Sequence, residues 1–172
     1  MAMSSAALVR PATEADLPDI LAIYNEAILN TTAVYDYTPH TLAMRRDWFA
    51  AKSRSGFPVI VTEVDGQVAG FGALGAFRTW EAYRYTAENS LYVAPDYRGQ
   101  GLGKRLLAHL IETAEALQLH AIVAGIDADN TVSLKLHEQF GFREVAHFPQ
   151  VGYKFDRWLD LKFMQRLLTA PQ

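Results

Sequence analysis

Residues 90–104 constrain this chain more than any other stretch. An apolar, β-favouring run through Leu91, Tyr92 and Val93 ends in Ala94-Pro95-Asp96, and a proline there halts strand pairing. Glycines follow at 99, 101 and 103, and then Leu102, Leu106, Leu107, Leu110, Ile111, Ala114 and Leu117 recur at helical spacing. The glycines therefore sit where a strand hands over to the first turn of a helix. Free backbone N–H groups and the positive end of the helix dipole lie there, and missing Cβ atoms let an anion approach the backbone. Arg98, Lys104 and Arg105 flank the loop with fixed charge. The stretch is built to hold a phosphate. Two common phosphate loops are excluded by spacing. Only one residue separates Gly101 from Gly103, where the dinucleotide fingerprint has two, and no Gly-Lys-Ser/Thr closes the loop as a P-loop requires.

The rest of the chain alternates strand and helix signals. A short strand at 8–10 stops at Pro11. Thr13 and Asp16 then open a helix whose apolar stripe is Leu17, Ile20, Leu21, Tyr24, Ala27 and Ile28. A polar and aromatic stretch, 30–37, leads to a second helix from Thr41 to about 54, with Leu42, Trp48 and Phe49 as its apolar contacts. Asp65-Gly66 joins 57–64 and 67–74 as a hairpin. Residues 77–83 form a loop, 85–93 a strand, and the glycine-capped helix runs to about 118. The continuous apolar run 119–126 reads as a strand buried on both faces. Asn130 is placed to N-cap a short helix that stops at Gly141; 142–148 is a strand, and Tyr153, Phe155, Leu159, Leu161 and Phe163 share the parity of a last one. This order predicts a mixed α/β sheet with helices on both faces.

Composition narrows the function. Half of the 172 residues are hydrophobic, 20% are charged, and the net charge is −3 with no basic stripe, which argues against a nucleic-acid partner. There are no cysteines, so disulfides, thiolate metal sites and cysteine nucleophiles are excluded together. Residues 1–5 lack a charged leader region and no long apolar window follows, so no membrane role and a cytoplasmic location are expected. His40, His109, His120 and His147 share no metal-ligand spacing, and no metal is expected.

Arg98-x-x-Gly101-x-Gly103 after Leu91-Tyr92-Val93-Ala94-Pro95 resembles the pyrophosphate-binding motif of the GCN5-related N-acetyltransferases (GNAT), which hold acetyl-coenzyme A. Asn130-x-x-Ser133-x-x-x-His137-Glu138-x-Phe140-Gly141-Phe142 resembles the same family's last helix, and Asn130, Ser133 and His137 fall on one helix face. Within the family, Asn30-Thr31-Thr32, Thr86-Ala87-Glu88, Leu136-His137-Glu138 and Gly152-x-Lys154-Phe155-x-x-Trp158 resemble the phosphinothricin and methionine sulfoximine N-acetyltransferases. The resemblance spans about residues 8–165 and implies one GNAT domain over 1–172, with a mostly antiparallel central sheet. It implies acetyl-CoA as cosubstrate, in contact with Leu91, Tyr92, Val93, Arg98, Gly99, Gln100, Gly101, Leu102, Gly103, Lys104, Asn130 and Ser133. It also implies a homodimer, which the aromatic surplus of the last strands suits.

Acetyl transfer to an amine needs a base for the amine and a proton for the departing thiolate. Glu88, a carboxylate in a strand of apolar and small residues, matches the position of the base in the most similar subfamily; it reads otherwise as a solvent-facing glutamate or a partner of Arg84. His137 stands where many relatives carry a tyrosine thought to protonate the thiolate. A histidinium suits that step, and a packed helix histidine is the equal alternative. Arg78, Thr79, Trp80, Arg84, Asn89 and Ser90, with Glu88 and the 30–37 loop, are the expected acceptor contacts, arginine because its fork matches a carboxylate. The expected activity is acetylation of the α-amine of a small amino-acid-like acceptor. Acetylation of protein N-termini or polyamines, and a non-catalytic acyl-CoA sensor, are the competing readings.

Overall fold

The computed structural model describes residues 7–168, so the start of the chain, 1–5, lies outside the described residues. The elements follow the expected order: β1 (Leu8–Pro11), α1 (Leu17–Asn30), α2 (Leu42–Arg54), β2 (Val59–Val64), β3 (Gln67–Ala76), β4 (Thr86–Val93), α3 (Leu102–Ala116), β5 (Ala121–Asp127), α4 (Thr131–Gln139), β6 (Arg143–Lys154) and β7 (Arg157–Leu167). The strands make one seven-stranded sheet in the order β1-β2-β3-β4-β5-β7-β6. Every neighbouring pair is antiparallel except β4 and β5.

Helices cover both faces. Leu17, Ile20 and Ile23 of α1 pack on Val59, Val61, Phe71 and Ala73, with α2 contributing Trp48 and Phe49. On the other face the stripe of α3, from Leu106 to Ala114, packs on Ile60, Leu74, Ala87, Ile122 and Met164. The turn that leads into α1 and the head of α2 both use side-chain oxygens. The Asp16 carboxylate accepts from Thr13 N at 2.7 Å and from both Arg10 terminal nitrogens at 2.8 and 2.9 Å, contacts that hold its pKa down at about 2. Thr41 Oγ1 accepts from Met44 N at 3.2 Å at the head of α2.

The end of the chain departs from the expectation. Strand β6 continues to Lys154 rather than 148, and Tyr153 belongs to it. Phe155 and Asp156 turn the chain with φ of 53° and 57°, a tight hairpin built without glycine, which the sequence signal for such turns does not detect. A second irregularity between Phe148 and Gly152 spans Pro149, as an edge strand allows.

The tip of that hairpin is fastened to the loop after α1. Lys154 is 3% exposed, and its ammonium donates to the carbonyls of Ile28, Thr31 and Val34 at 2.5, 2.8 and 2.7 Å. These are the last carbonyls of a helix and of the turn beyond it, the negative end of a helix dipole. Tyr35 lies over Gly152 so closely that a Cβ there would stand 2.6 Å from its ring. Replacing Lys154 with methionine keeps the chain length but strands three carbonyls. We expect a loss of about 2–3 kcal/mol in urea unfolding, with no change in the denaturant slope.

Candidate active site

Strands β4 and β5 pair only over Thr86–Glu88 with Ala121–Val123. Beyond Glu88, β4 stays with β3 as far as Val93, and β5 stays with β7 as far as Asp127, so the two strands part. The gap is a cleft of about 270 Å³ lined by Glu88, Asn89, Ser90, Leu91 and Tyr92 on one side and Ala124, Gly125, Ile126 and Asp127 on the other. The loop after α1 (Ala33, Val34, Tyr35) and the head of α4 (Asn130, Ser133, His137) complete it. Backbone groups along the separated edges have lost their strand partner and face the cleft.

Glu88 stands at the apex, the last paired residue of β4. Its Oε1 lies 3.4 Å from the position a Cβ of Gly125 would take, so the glycine makes room for it. Burial raises the Glu88 pKa above the ordinary carboxylate range, while Lys52 and then Arg78 act through the field to lower it. Arg84 is not its partner. That guanidinium pairs with Glu81 at 3.3 Å and stacks on Tyr85 at 4.8 Å. Arg78, Thr79 and Trp80 sit on the exposed loop between β3 and β4, outside the cleft lining. Arg78 lies over Phe77, and Trp80 is 67% exposed.

His137 lies in the lining but is poorly placed as a proton donor. It is 2% exposed, and its Nδ1 is 2.8 Å from the Ser133 carbonyl, which can only accept, so that nitrogen carries the proton. Asn89 Nδ2 then donates to the bare Nε2 at 3.1 Å. Burial lowers the imidazole pKa. The ring is a neutral bridge from α4 to β4, which favours the packed reading over the histidinium. Asn130 caps α4, its side chain accepting from Ser133 N at 3.1 Å, while both residues also face the cleft.

The glycine loop lies just past the end of β4. Gly99 and Gly101 have φ of 75° and 79°, and a Cβ on either meets nothing within 4 Å. Gly101 is the N-cap of α3, and Arg105 N returns to its carbonyl at 3.3 Å, which leaves the first-turn N–H groups of Leu102, Gly103 and Lys104 free in the usual way. Open N–H groups at a helix head fit a pyrophosphate, so the residues present suit acetyl-CoA. Three details bear on the expected contacts. Gly103 sits against α4, where a Cβ would lie 3.3 Å from the end of the Leu136 side chain, a tight contact. Arg98 is engaged internally, donating to Glu26 at 2.8 Å and to the Val93 carbonyl at 3.2 Å. Leu91, Tyr92 and Val93 send their side chains into the two cores, so their backbone is what they offer the cleft.

Some residues of the site carry no local signal. Lys52 of α2 donates to the Leu74 carbonyl at 2.7 Å and reaches Glu88 only because the tertiary structure lays α2 on β3. Tyr35, within the expected acceptor loop, donates to Asp127 Oδ2 at 2.8 Å and closes one wall of the cleft. Asp127 by its neighbours reads only as the start of a polar turn.

Similarity to known proteins identifies the family. A family model described as "Acetyltransferase (GNAT) family" matches residues 20–142. The chain is 50% identical over 160 residues to an L-methionine sulfoximine/L-methionine sulfone acetyltransferase of Pseudomonas paraeruginosa, covering 92% of this chain and 93% of that one. It is 39% identical over 166 residues to a phosphinothricin N-acetyltransferase of Alcaligenes faecalis, covering 96% and 84%. A solved acetyltransferase from Salmonella typhimurium, described with its cofactor acetyl-CoA, matches with a TM-score of 0.93 and 43% identity over 95% of each chain. The chain belongs to the GNAT acetyltransferase family.

The two helix-head glycines can be told apart by experiment. Gly101→Val forces a β-branched side chain into left-handed φ at the cradle, and should weaken acetyl-CoA binding at least tenfold by calorimetry. Gly103→Val presses on Leu136 and should cost about 1–3 kcal/mol of stability, visible as a lower melting temperature without ligand.

Proposed function

We propose that this enzyme transfers the acetyl group of acetyl-CoA to the α-amine of a small amino-acid-like acceptor of the methionine sulfoximine, methionine sulfone or phosphinothricin type, with Glu88 as the general base. The observation that carries it is a single half-buried carboxylate at the apex of the cleft with two cations in range. The names of the relatives above support the acceptor class. Acetyl-CoA supplies an acetyl group activated as a thioester; the free N–H groups from Gly99 to Lys104 suit its pyrophosphate, and the unpaired β4 edge with Asn130 and Ser133 suits its arm. An α-ammonium, with a pKa of about 7.7–8.0, must lose its proton before it attacks. A carboxylate raised by burial is a better proton acceptor than an exposed one, and in this reading Glu88 takes that proton.

Lys52 and Arg78 favour a carboxylate-bearing acceptor over a polyamine, whose cationic chain wants an acidic groove. Glu81, the acid of the neighbouring loop, is already paired with Arg84. His137 keeps a structural part in this reading. A homodimer belongs to it as well, supported by the exposed apolar row Val145, Phe148, Val151, Tyr153, Phe155 and Trp158 along the last hairpin. So does a cytoplasmic location, which suits an acetyl-CoA requirement; no helix among the described residues is long and apolar enough to cross a membrane.

Glu88→Gln should lower kcat roughly 10²–10⁴-fold while calorimetric acetyl-CoA affinity stays the same. The deficit should shrink at high pH, where the acceptor amine is already neutral. A Gln variant with wild-type turnover across the pH range would remove Glu88 as the base. Arg78→Ala should raise KM for a carboxylate-bearing acceptor, a loss of about 1.5–3 kcal/mol. A carboxylate-free amine should barely respond.

A further inference from the structure

Lys52 and Gly75 form a pair that the acetyl-transfer reading does not by itself require. Lys52 is half-buried on α2, and its ammonium donates to the Leu74 carbonyl at 2.7 Å. The next residue, Gly75, lies directly beneath. A Cβ at 75 would collide with Lys52 Nζ, so the strand gives up its side chain there to admit the ammonium. Gly75 is also directly opposite Glu88 in the antiparallel register of β3 and β4. Opposed residues project from the same face with Cβ positions about 5 Å apart. The ammonium is therefore seated one side chain away from the apex carboxylate, on the face covered by α1 and α2.

We propose that Lys52 is a positioning residue for Glu88: seated over Gly75 and anchored on the Leu74 carbonyl, its ammonium keeps the half-buried carboxylate ionised and so ready to take the acceptor's proton. The inference rests on the reading of Glu88 as base. The other charged or titratable groups facing Glu88 and Lys52 are Arg78 on the loop after β3, Tyr92 on β4, Arg45 of α2 and Tyr24 of α1 beside them, and the cleft residues Tyr35, Asp127 and His137. On the β5 side the carboxylate meets Gly125, with Phe163 and Leu161 beside it, which offer no charge. Among the cations, Lys52 has the larger influence on Glu88 and Arg78 the smaller. The sign follows from Coulomb's law: a nearby cation favours the ionised carboxylate, so removing it raises the pH at which Glu88 protonates.

The test reads the carboxyl directly. Protein labelled with carboxyl-¹³C glutamate is titrated by NMR, and the Glu88 signal is assigned by its loss in Glu88→Gln. In Lys52→Met the Glu88 midpoint should move to higher pH. The acidic limb of kcat/KM should move with it, costing several-fold in rate at acid pH and little above neutrality. Lys52→Arg, which keeps the charge, should restore most of both. Gly75→Ala keeps the charge but displaces the ammonium, and should also move the midpoint. A Glu88 midpoint that stays put in both Lys52→Met and Gly75→Ala overturns the proposal. A midpoint that moves while the kcat/KM limb does not keeps the coupling of Lys52 to Glu88 and removes Glu88 as the base, so the two failures are distinct.

Discussion

The parting of β4 from β5 is the constraint on which the rest of the site depends. Each strand keeps its outer partner to the end, β3 for β4 and β7 for β5, and the inner pairing lapses after Glu88. A sheet that opens in its middle leaves backbone donors and acceptors facing a cavity, and such groups are costly to bury unpaired. An extended ligand with amide groups of its own answers that need. The same parting puts the last paired residue, a glutamate, at the apex, where it is shielded from water yet reachable from the cleft.

The electrostatics on the α1–α2 face follow an uncommon pattern, with cations buried beside neutral partners. Lys154 is held by three carbonyls. Arg45, 4% exposed, lies 4.1 Å over Tyr24 and 4.5 Å over Trp48 and donates to His40 Nδ1 at 2.8 Å. Lys52 rests on a carbonyl. Aromatic faces and carbonyl dipoles offset the desolvation of these groups without neutralising them. Of these cations, Lys52 is the one whose field acts on the carboxylate at the apex.

On the opposite face the chemistry is locked rather than poised. The Ser133 carbonyl sets the tautomer of His137, and His137 sets the orientation of the Asn89 amide. That chain ties the head of α4 to the middle of β4, so the α4 end of the cleft is joined to its β4 wall. A histidine used in this way is neutral at working pH, which is why its motif position alone does not reveal its part.

Local sequence determined the elements and the phosphate cradle. Glycines with no Cβ to clash, a proline that stops a strand, an asparagine that caps a helix and a stripe at helical spacing all act within a few residues, and each is legible in the residues themselves. Glu88 also stands out, as a charge in an otherwise uncharged strand. Tertiary structure alone decided what surrounds that charge. Lys52 is 36 positions from Glu88 in the chain, and only the packing of α2 on β3 and the register of β3 with β4 bring them to one face. Arg84 looks like a partner through proximity in sequence, but the turn at Glu81 draws it away. The hairpin turn at Phe155–Asp156 is equally hidden, because its left-handed backbone falls on residues that do not ordinarily prefer it, next to a lysine anchored across the molecule. Short-range sterics and hydrogen bonding are written in neighbouring residues; field strength, burial and cross-strand register depend on distances that exist only once the sheet has closed.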